Sequence, residues 1–164
     1  MVELIAAGGK AGAGKDYILE HLLPYHAGQD VTWMISGFGD LVRRELGIKD
    51  PKENRPAQQF YGQFRRQQDE NYWTKKAVEW AEWATTIGGA TAVGFSGVRF
   101  ENEIEVLQDA GFRVGLVEAP LEVRLARLRE RDGRPWTEAE LNDITETNLD
   151  LIPHWRWDWV WDNS

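Results

Sequence analysis

The chain has 164 residues and no cysteine, with 27 acidic against 19 basic side chains and a formal net charge of −8. The length suits a single domain of the usual roughly 100–200 residues, here taken as 1–164. The absent cysteines exclude a disulfide framework, a zinc–thiolate centre, an iron–sulfur cluster and a thiol nucleophile. The acidic balance argues against nucleic acid or a membrane surface as the principal partner.

In chain order, Leu4–Ala7 reads as a short buried strand running into Gly8-Gly9. Residues 15–24 read as a helix, with Ile18, Leu19, Leu22 and Leu23 on one side and Pro24 closing it. Val31–Ile35 is a second strand, and 39–47 a helix ending at Gly47, before an Asp50-Pro51 turn. Residues 55–86 read as helix in two pieces, in which Trp73, Ala77, Trp80 and Ala84 form one stripe. Thr91–Phe95 is a third strand, 101–110 a helix stopped by Gly111, and Phe112–Val117 a fourth strand. Residues 120–131 are again helical. Thr137-x-x-Glu140 is a capping box that Trp136 and Leu141 would staple, and 157–161 forms a last strand. Strands alternating with helices predict an α/β fold with a mostly parallel five-stranded sheet covered on both faces. Function then belongs to the loops after the strands, at 9–15, 36–40 and 96–100. The N-terminus lacks a signal-peptide pattern and no stretch reaches the length of a membrane span, so a cytoplasmic protein is expected.

Gly9-Lys10-Ala11-Gly12-Ala13-Gly14-Lys15 fits the phosphate-loop pattern G-x-x-x-x-G-K. Glycines let the backbone curl so that successive N–H groups face one anion, and the following helix adds its positive end. Lys15 would reach the β- and γ-phosphates. Asp16 stands where a Ser or Thr usually offers Mg²⁺ a hydroxyl. Its carboxylate can hold the ion directly or through water, or can simply favour the start of a helix. Five of the thirteen arginines lie in 124–134, with Arg124, Arg127 and Arg131 on one stripe and Leu121, Leu125 and Leu128 on another. The leucines would pack on the sheet and leave the arginines beside the phosphates, with Asp132-Gly133-Arg134-Pro135 as a mobile turn. Otherwise the segment is a solvated helix balanced by Glu122 and Glu130. His21, His26 and His154 show no metal-ligand spacing.

The G-x-x-x-x-G-K-D loop resembles that of the bacteriophage-type deoxynucleoside monophosphate kinases, and also that of the animal-type phosphomevalonate kinases. Three more segments resemble the phage family: Phe38-Gly39-Asp40-Leu41-Val42-Arg43; Arg55 to Gly62 followed by Arg65-Arg66 and Asn71-Tyr72-Trp73; and Val98-Arg99-Phe100-Glu101-Asn102-Glu103. The resemblance implies a kinase of the nucleoside-monophosphate-kinase group. It would use ATP and Mg²⁺ to phosphorylate a (deoxy)nucleoside monophosphate, as a monomer or homodimer. The donor would be held by residues 9–17 (Gly9, Lys10, Ala11, Gly12, Ala13, Gly14, Lys15, Asp16, Tyr17) and Arg124, with Lys15, Arg127 and Arg131 catalytic and Asp16 on the metal. Segment 37–86 would take the acceptor and 124–136 would form the lid. Asp40, Arg43, Gln59, Arg65, Arg66, Trp73 and Arg99 would contact the acceptor. Tyr61, Tyr72 and Trp73 are candidates to stack its base, and Gln59 and Asn71 to read its edge.

The chain departs from that family in three places. Gly97 replaces the Asp expected before Val98-Arg99, Arg43 replaces a Lys, and the sequence ends near Asn163 where relatives commonly continue into a helix. Acceptors such as phosphomevalonate or dephospho-coenzyme A, and a noncatalytic nucleotide-binding role, remain alternatives. Four of the nine tryptophans, at 155, 157, 159 and 161, alternate in a pattern that predicts a final strand with one aromatic face.

Overall fold

The computed structural model describes residues 2–24, 28 and 30–164; His26 lies outside the described residues. Five strands form one sheet: β1 (Glu3–Gly8), β2 (Trp33–Gly37), β3 (Ala92–Val98), β4 (Arg113–Glu118) and β5 (Trp159–Asp162). They lie in the order β2-β3-β1-β4-β5, and every pairing is parallel. The helices are α1 (Lys15–Tyr17, continuing as a π-helical turn, Ile18–Leu22), α2 (Phe38–Leu46), α3 (Arg55–Gln68), α4 (Tyr72–Thr86), α5 (Glu101–Asp109), α6 (Leu121–Asp132), α7 (Glu138–Leu141) and α8 (Ile144–Thr147). Among the described residues, no helix is long and apolar enough to cross a membrane.

Side-chain alternation divides the core. Ala6, Val93, Phe95, Val114 and Leu116 face α2, α4 and α5, with Trp73, Trp80 and Trp157 in the same cluster. Ile5, Ala7 and Val117 face the other way onto Ala13, Ile18 and Leu19. The central strand β1 therefore buries small alanines on both faces, which lets helices approach closely on either side.

β2 runs to Gly37, two residues beyond the predicted end. Ser36 and Gly37 read as turn residues, yet β3 continues beside them and pairs Gly37 with Ser96. Ala7 of β1 is also in register with Ser96. The three loops after β1, β2 and β3 consequently open side by side at one end of the sheet.

The C-terminal tryptophans depart from the expected single aromatic face. β5 begins only at Trp159. Trp155 lies in a 3₁₀ turn (His154–Arg156) and is 77 % exposed, whereas Trp157 turns into the cluster under α2, α4 and α5. Trp159 packs against the opposite cluster. Two glycines make room for these indoles. A Cβ at Gly8 would come within 2.7 Å of Trp157, and one at Gly115, opposite Trp159 in the register, within 1.9 Å of its ring.

Candidate active site

The phosphate loop joins β1 to α1, with Gly12 and Gly14 in left-handed conformations at φ 77° and 95°. At Gly12 the constraint is double. The backbone needs positive φ, and a Cβ there would lie 2.6 Å from the Arg124 carbonyl oxygen of α6. The amides of Lys15, Asp16 and Tyr17 occupy the first turn of α1, where the helix has no acceptor for them, an arrangement suited to an anion.

Lys15 is partly buried where several charges converge. Burial, and then the nearby Arg99 guanidinium, push its ammonium down to about 8, against the opposing pull of Asp16 and Glu146; Arg131 adds to the lowering. Arg99 and Arg131 thus add positive charge around Lys15, and Asp16 and Glu146 are the counter-charges, Glu146 through its 2.7 Å pair with Arg99.

Glu146 carries no motif signal in the sequence. It lies on α8, is 4 % exposed, accepts the Ala11 amide of the loop at 2.9 Å, and pairs with Arg99 at 2.7 Å. A TETN segment in an acidic chain reads as solvated surface. Only the folding of 145–148 over the β3 end buries it.

Asp16 accepts a hydrogen bond from Ser96 Oγ at the end of β3. Gly97 next to it has φ 100°, so the carboxylate expected at this position would be strained. The loop therefore carries the carboxylate and the strand end the hydroxyl. Hard oxygen donors of this kind suit Mg²⁺, which keeps several waters and takes the rest of its shell from substrate phosphates. Among the described residues, no group of three or more acidic or histidine side chains could hold a metal by itself.

Arg124 and Arg127 face the outer side of the loop. Arg124 is 8 % exposed and donates to the carbonyls of Ala11 and Ala119. Arg127 donates to those of Gly12, Ala13 and Asn163. The expected leucine stripe is buried only in part: Leu128 is fully buried against Gly12 and Leu125 half-buried, but Leu121 is 51 % exposed, and Arg124 and Arg127 pack onto the loop beside Leu128. The reason is that Gly12, with no Cβ, lets the α6 backbone approach closely, and that the loop carbonyls of Ala11, Gly12 and Ala13 need donors, which the two arginines supply. Asn163 Nδ2 donates to Ala13 O as well. Lys10 leaves the loop to pair with Asp150 at 2.7 Å, and Tyr17 is exposed beside His21.

Arg131, farther along α6, is near enough to disfavour the charge on Lys15. Both it and Arg55 grip Asp132, through Arg131 Nε at 2.8 Å and the two terminal nitrogens of Arg55 at 3.2 Å, while Trp136 Nε1 donates at 2.7 Å. Hydrogen bonds from Arg131, and then from Arg55 and Trp136, hold the Asp132 carboxyl far below the usual carboxylate range despite its burial. The segment expected to be a mobile turn is thus tied at Asp132 to the start of α3. Asp132→Asn should lower stability at pH 7 by about 1.5–3 kcal/mol, the range for hydrogen bonds to a charged group. Because the folded pKa is depressed, the carboxylate's contribution is complete above an unfolded pKa near ~4 and declines below it. Urea midpoints of the two proteins should therefore differ at pH 7 and converge as the pH falls towards 3; a constant gap would refute the assignment.

The predicted acceptor residues separate. Asp40 accepts from Ser36 at 3.4 Å and pairs with Arg43, which also donates to Gln58 at 3.4 Å. Gln58, rather than the exposed Gln59, faces that pair. Arg66 is pinned on buried Glu103 at 3.2 Å, and Glu103 also accepts the Arg99 amide at 2.8 Å. Arg66 therefore stiffens the turn carrying Arg99. Arg65 points elsewhere, stacking over Tyr61 and Tyr72 and donating to Tyr61 Oη at 3.0 Å.

Trp73 does not face the cleft. It is 1 % exposed and its indole donates to Gly62 O at 3.0 Å, with Tyr61 and Tyr72 edge-on against it. Both tyrosine hydroxyls donate to Glu45, and burial and Glu45 push the Tyr72 phenol up to about 12. Asn71 accepts from Asn102 Nδ2 at 3.0 Å. These aromatic residues join helices: Trp73 packs as its helical stripe predicts, whereas the expectation of base contact comes from the resemblance.

A cavity of about 440 Å³ opens on the β4–β5 side of the loop, lined by Lys10, Ala13, Val117, Arg124, Leu149 and Asp150 among others.

With this arrangement in place, the solved structures are informative. Shikimate kinase from Acinetobacter baumannii, in complex with shikimate, matches with a TM-score of 0.61 at 17 % identity, over 100 % of this chain and 85 % of that one. A gluconokinase from Sinorhizobium meliloti 1021 matches with a TM-score of 0.55 at 14 % identity, over 98 % and 81 %. Shikimate kinase from Aquifex aeolicus matches at 0.54 and 13 %, over 96 % and 84 %. The chain has the α/β P-loop fold. Among curated proteins, ORF77 of Ictalurid herpesvirus 1 (strain Auburn), itself uncharacterized, is 31 % identical over 119 residues. That match takes in 71 % of this chain, which spans about half the length of that relative. No family model matches the chain.

Proposed function

We propose that the protein transfers the γ-phosphoryl group of ATP to a small phosphorylated acceptor, with a (deoxy)nucleoside monophosphate as the leading candidate. The observation carrying this reading is that Arg99, an arginine from the turn after β3, is held against the phosphate loop through one carboxylate: Glu146 accepts Arg99 Nη1 at 2.7 Å and the loop amide of Ala11 at 2.9 Å. Phosphoryl transfer needs two anions held in line and their charge neutralised, with little covalent help from protein.

Lys15 and the amides of 15–17 bind the donor phosphates, and the cavity beside Lys10 and Arg124 takes the nucleoside. A volume of this order is usual for small-ligand sites. Arg99, from the turn stiffened by Glu103 and Arg66, and Arg43, from the mouth of β2, hold the acceptor phosphate. That phosphate is itself the nucleophile, so no side-chain base is needed. Arg131 screens the transferring charge, and the Asp132 tie to α3 draws 124–136 over the site as a lid that excludes water. Asp16 and Ser96 are the residues to hold Mg²⁺, which supplies charge neutralisation between donor oxygens when bound.

A second reading rests on Asp40. Its half-exposed carboxylate, beside Ser36 at the end of β2, is suited to orient a hydroxyl acceptor. An ADP-release assay decides between them. The panel would hold the nucleoside and deoxynucleoside monophosphates, phosphomevalonate, dephospho-coenzyme A, shikimate and gluconate. Turnover confined to the monophosphates is expected. Turnover of shikimate or gluconate alone would favour the second reading, and turnover of none would leave nucleotide binding without catalysis.

A further inference from the structure

We infer that Glu146 is a positioning residue: an internal anion that carries the acceptor-side arginine and the phosphate loop on one carboxylate and so sets their separation. The inference rests on the proposed phosphoryl transfer and extends it to a residue outside every motif of the sequence.

One carboxylate oxygen accepts the loop amide of Ala11 at 2.9 Å and the other accepts Arg99 Nη1 at 2.7 Å. The neighbouring residues grip the same arginine. Arg99 also donates to Thr145 O at 3.1 Å, and Asn148 Nδ2 donates to Arg99 O at 2.9 Å. Segment 145–148 therefore holds Arg99 by side chain and backbone while its glutamate holds the loop. These contacts are short, and Glu146 is almost wholly enclosed, so a one-methylene change is felt at both ends.

The carboxylate has a second effect. A negative group paired with Arg99 and the loop competes with incoming phosphate for both. Its presence weakens anion binding and improves alignment. A residue needed only for folding would instead support binding and turnover together.

The test uses Glu146→Gln, which removes charge but keeps shape, and Glu146→Asp, which keeps charge but withdraws the carboxylate. Inorganic phosphate would be titrated calorimetrically into protein saturated with Mg–ADP, and kcat measured with ATP and the best acceptor. For Glu146→Gln, phosphate affinity should rise about threefold or more through the lost repulsion, while kcat falls about 100-fold through misalignment, because the amide NH2 must face a donor, Ala11 N or Arg99 Nη1, and one of the two holds is lost. For Glu146→Asp, phosphate affinity should stay within about twofold while kcat falls about tenfold or more. Parallel loss of phosphate affinity and kcat in either variant would overturn the inference, as would unchanged kcat in Glu146→Asp. The phosphate titration reads Glu146 whether or not an acceptor is turned over. An unaltered protein that binds phosphate but phosphorylates nothing would thus count against the proposed function, not against this assignment.

Discussion

Lys15→Met should abolish turnover without weakening the fold. Removing a positioned charge that meets the developing phosphate charge lowers kcat by about 10²–10³-fold. Stability should move the other way. The ammonium's pKa is pulled down from 10.5 to about 8 by burial and Arg99, so the fold disfavours the charged form. Below pH 8 the side chain is charged in both folded and unfolded chains, and the folded chain carries the full penalty. Between 8 and 10.5 the folded group loses its proton first, and the penalty fades. At pH 7 the Met variant should therefore melt at the same temperature as the unaltered protein or higher. The upward shift in melting temperature that ATP gives the unaltered protein should disappear. Thermal scans with and without Mg–ATP, beside the ADP-release assay, read both effects. Retained turnover, or a melting temperature lowered by several degrees, would sink the assignment. A group that burdens the empty fold and works only with an anion beside it is what a site held for phosphate should contain.

Trp73→Ala should produce the largest loss of stability. Truncating a buried tryptophan costs about 3–5 kcal/mol, against a total near ~5–15 kcal/mol for a protein of ordinary stability. The indole fills the joint between α3 and α4, and its N–H satisfies Gly62 O. Truncation opens a cavity between Tyr61 and Tyr72 and removes the second donor of a carbonyl that keeps only its helical partner. Trp73→Phe should lose less and serves as the functional control. If the side chain is core, acceptor KM in the Phe variant stays within about threefold of the unaltered value, since no substrate contact is removed. A large rise in acceptor KM with an unchanged urea midpoint would return Trp73 to the acceptor site.

These two residues illustrate which features the sequence reveals. Lys15 is legible because its placement depends on local chain geometry. Glycines at fixed spacing, an apolar strand before and a helix after constrain one loop to one shape. At Trp73 two signals disagree: the helical stripe predicts core, which the 1 % exposure matches, while the family-like segment predicts acceptor contact, and a short motif does not say which way an aromatic turns. The arginines of α6 mislead for a related reason. Periodicity groups Arg124, Arg127 and Arg131 on one face, yet the first two meet loop carbonyls and the third meets Asp132. The difference depends on how far along the loop each one lies, a tertiary distance.

The sequence by itself determined the alternation of strands and helices, the phosphate loop, the Thr137–Glu140 capping box and the end of the sheet where the site opens. All of these arise from interactions a few residues apart, or from the hand and order of a parallel sheet. Only the tertiary structure decided which charges meet. It brought Glu146 under Arg99 from 47 residues away, set Ser96 beside Asp16 across 80, and tied Asp132 to Arg55 across 77. It also sent Trp157 and Trp159 to opposite faces of the sheet, where Gly8 and Gly115 leave space for their rings. Such contacts leave no periodic trace in one sequence, because a buried ion pair or a glycine facing an indole needs only two residues at any separation. Their partners are chosen by packing, once the backbone has folded.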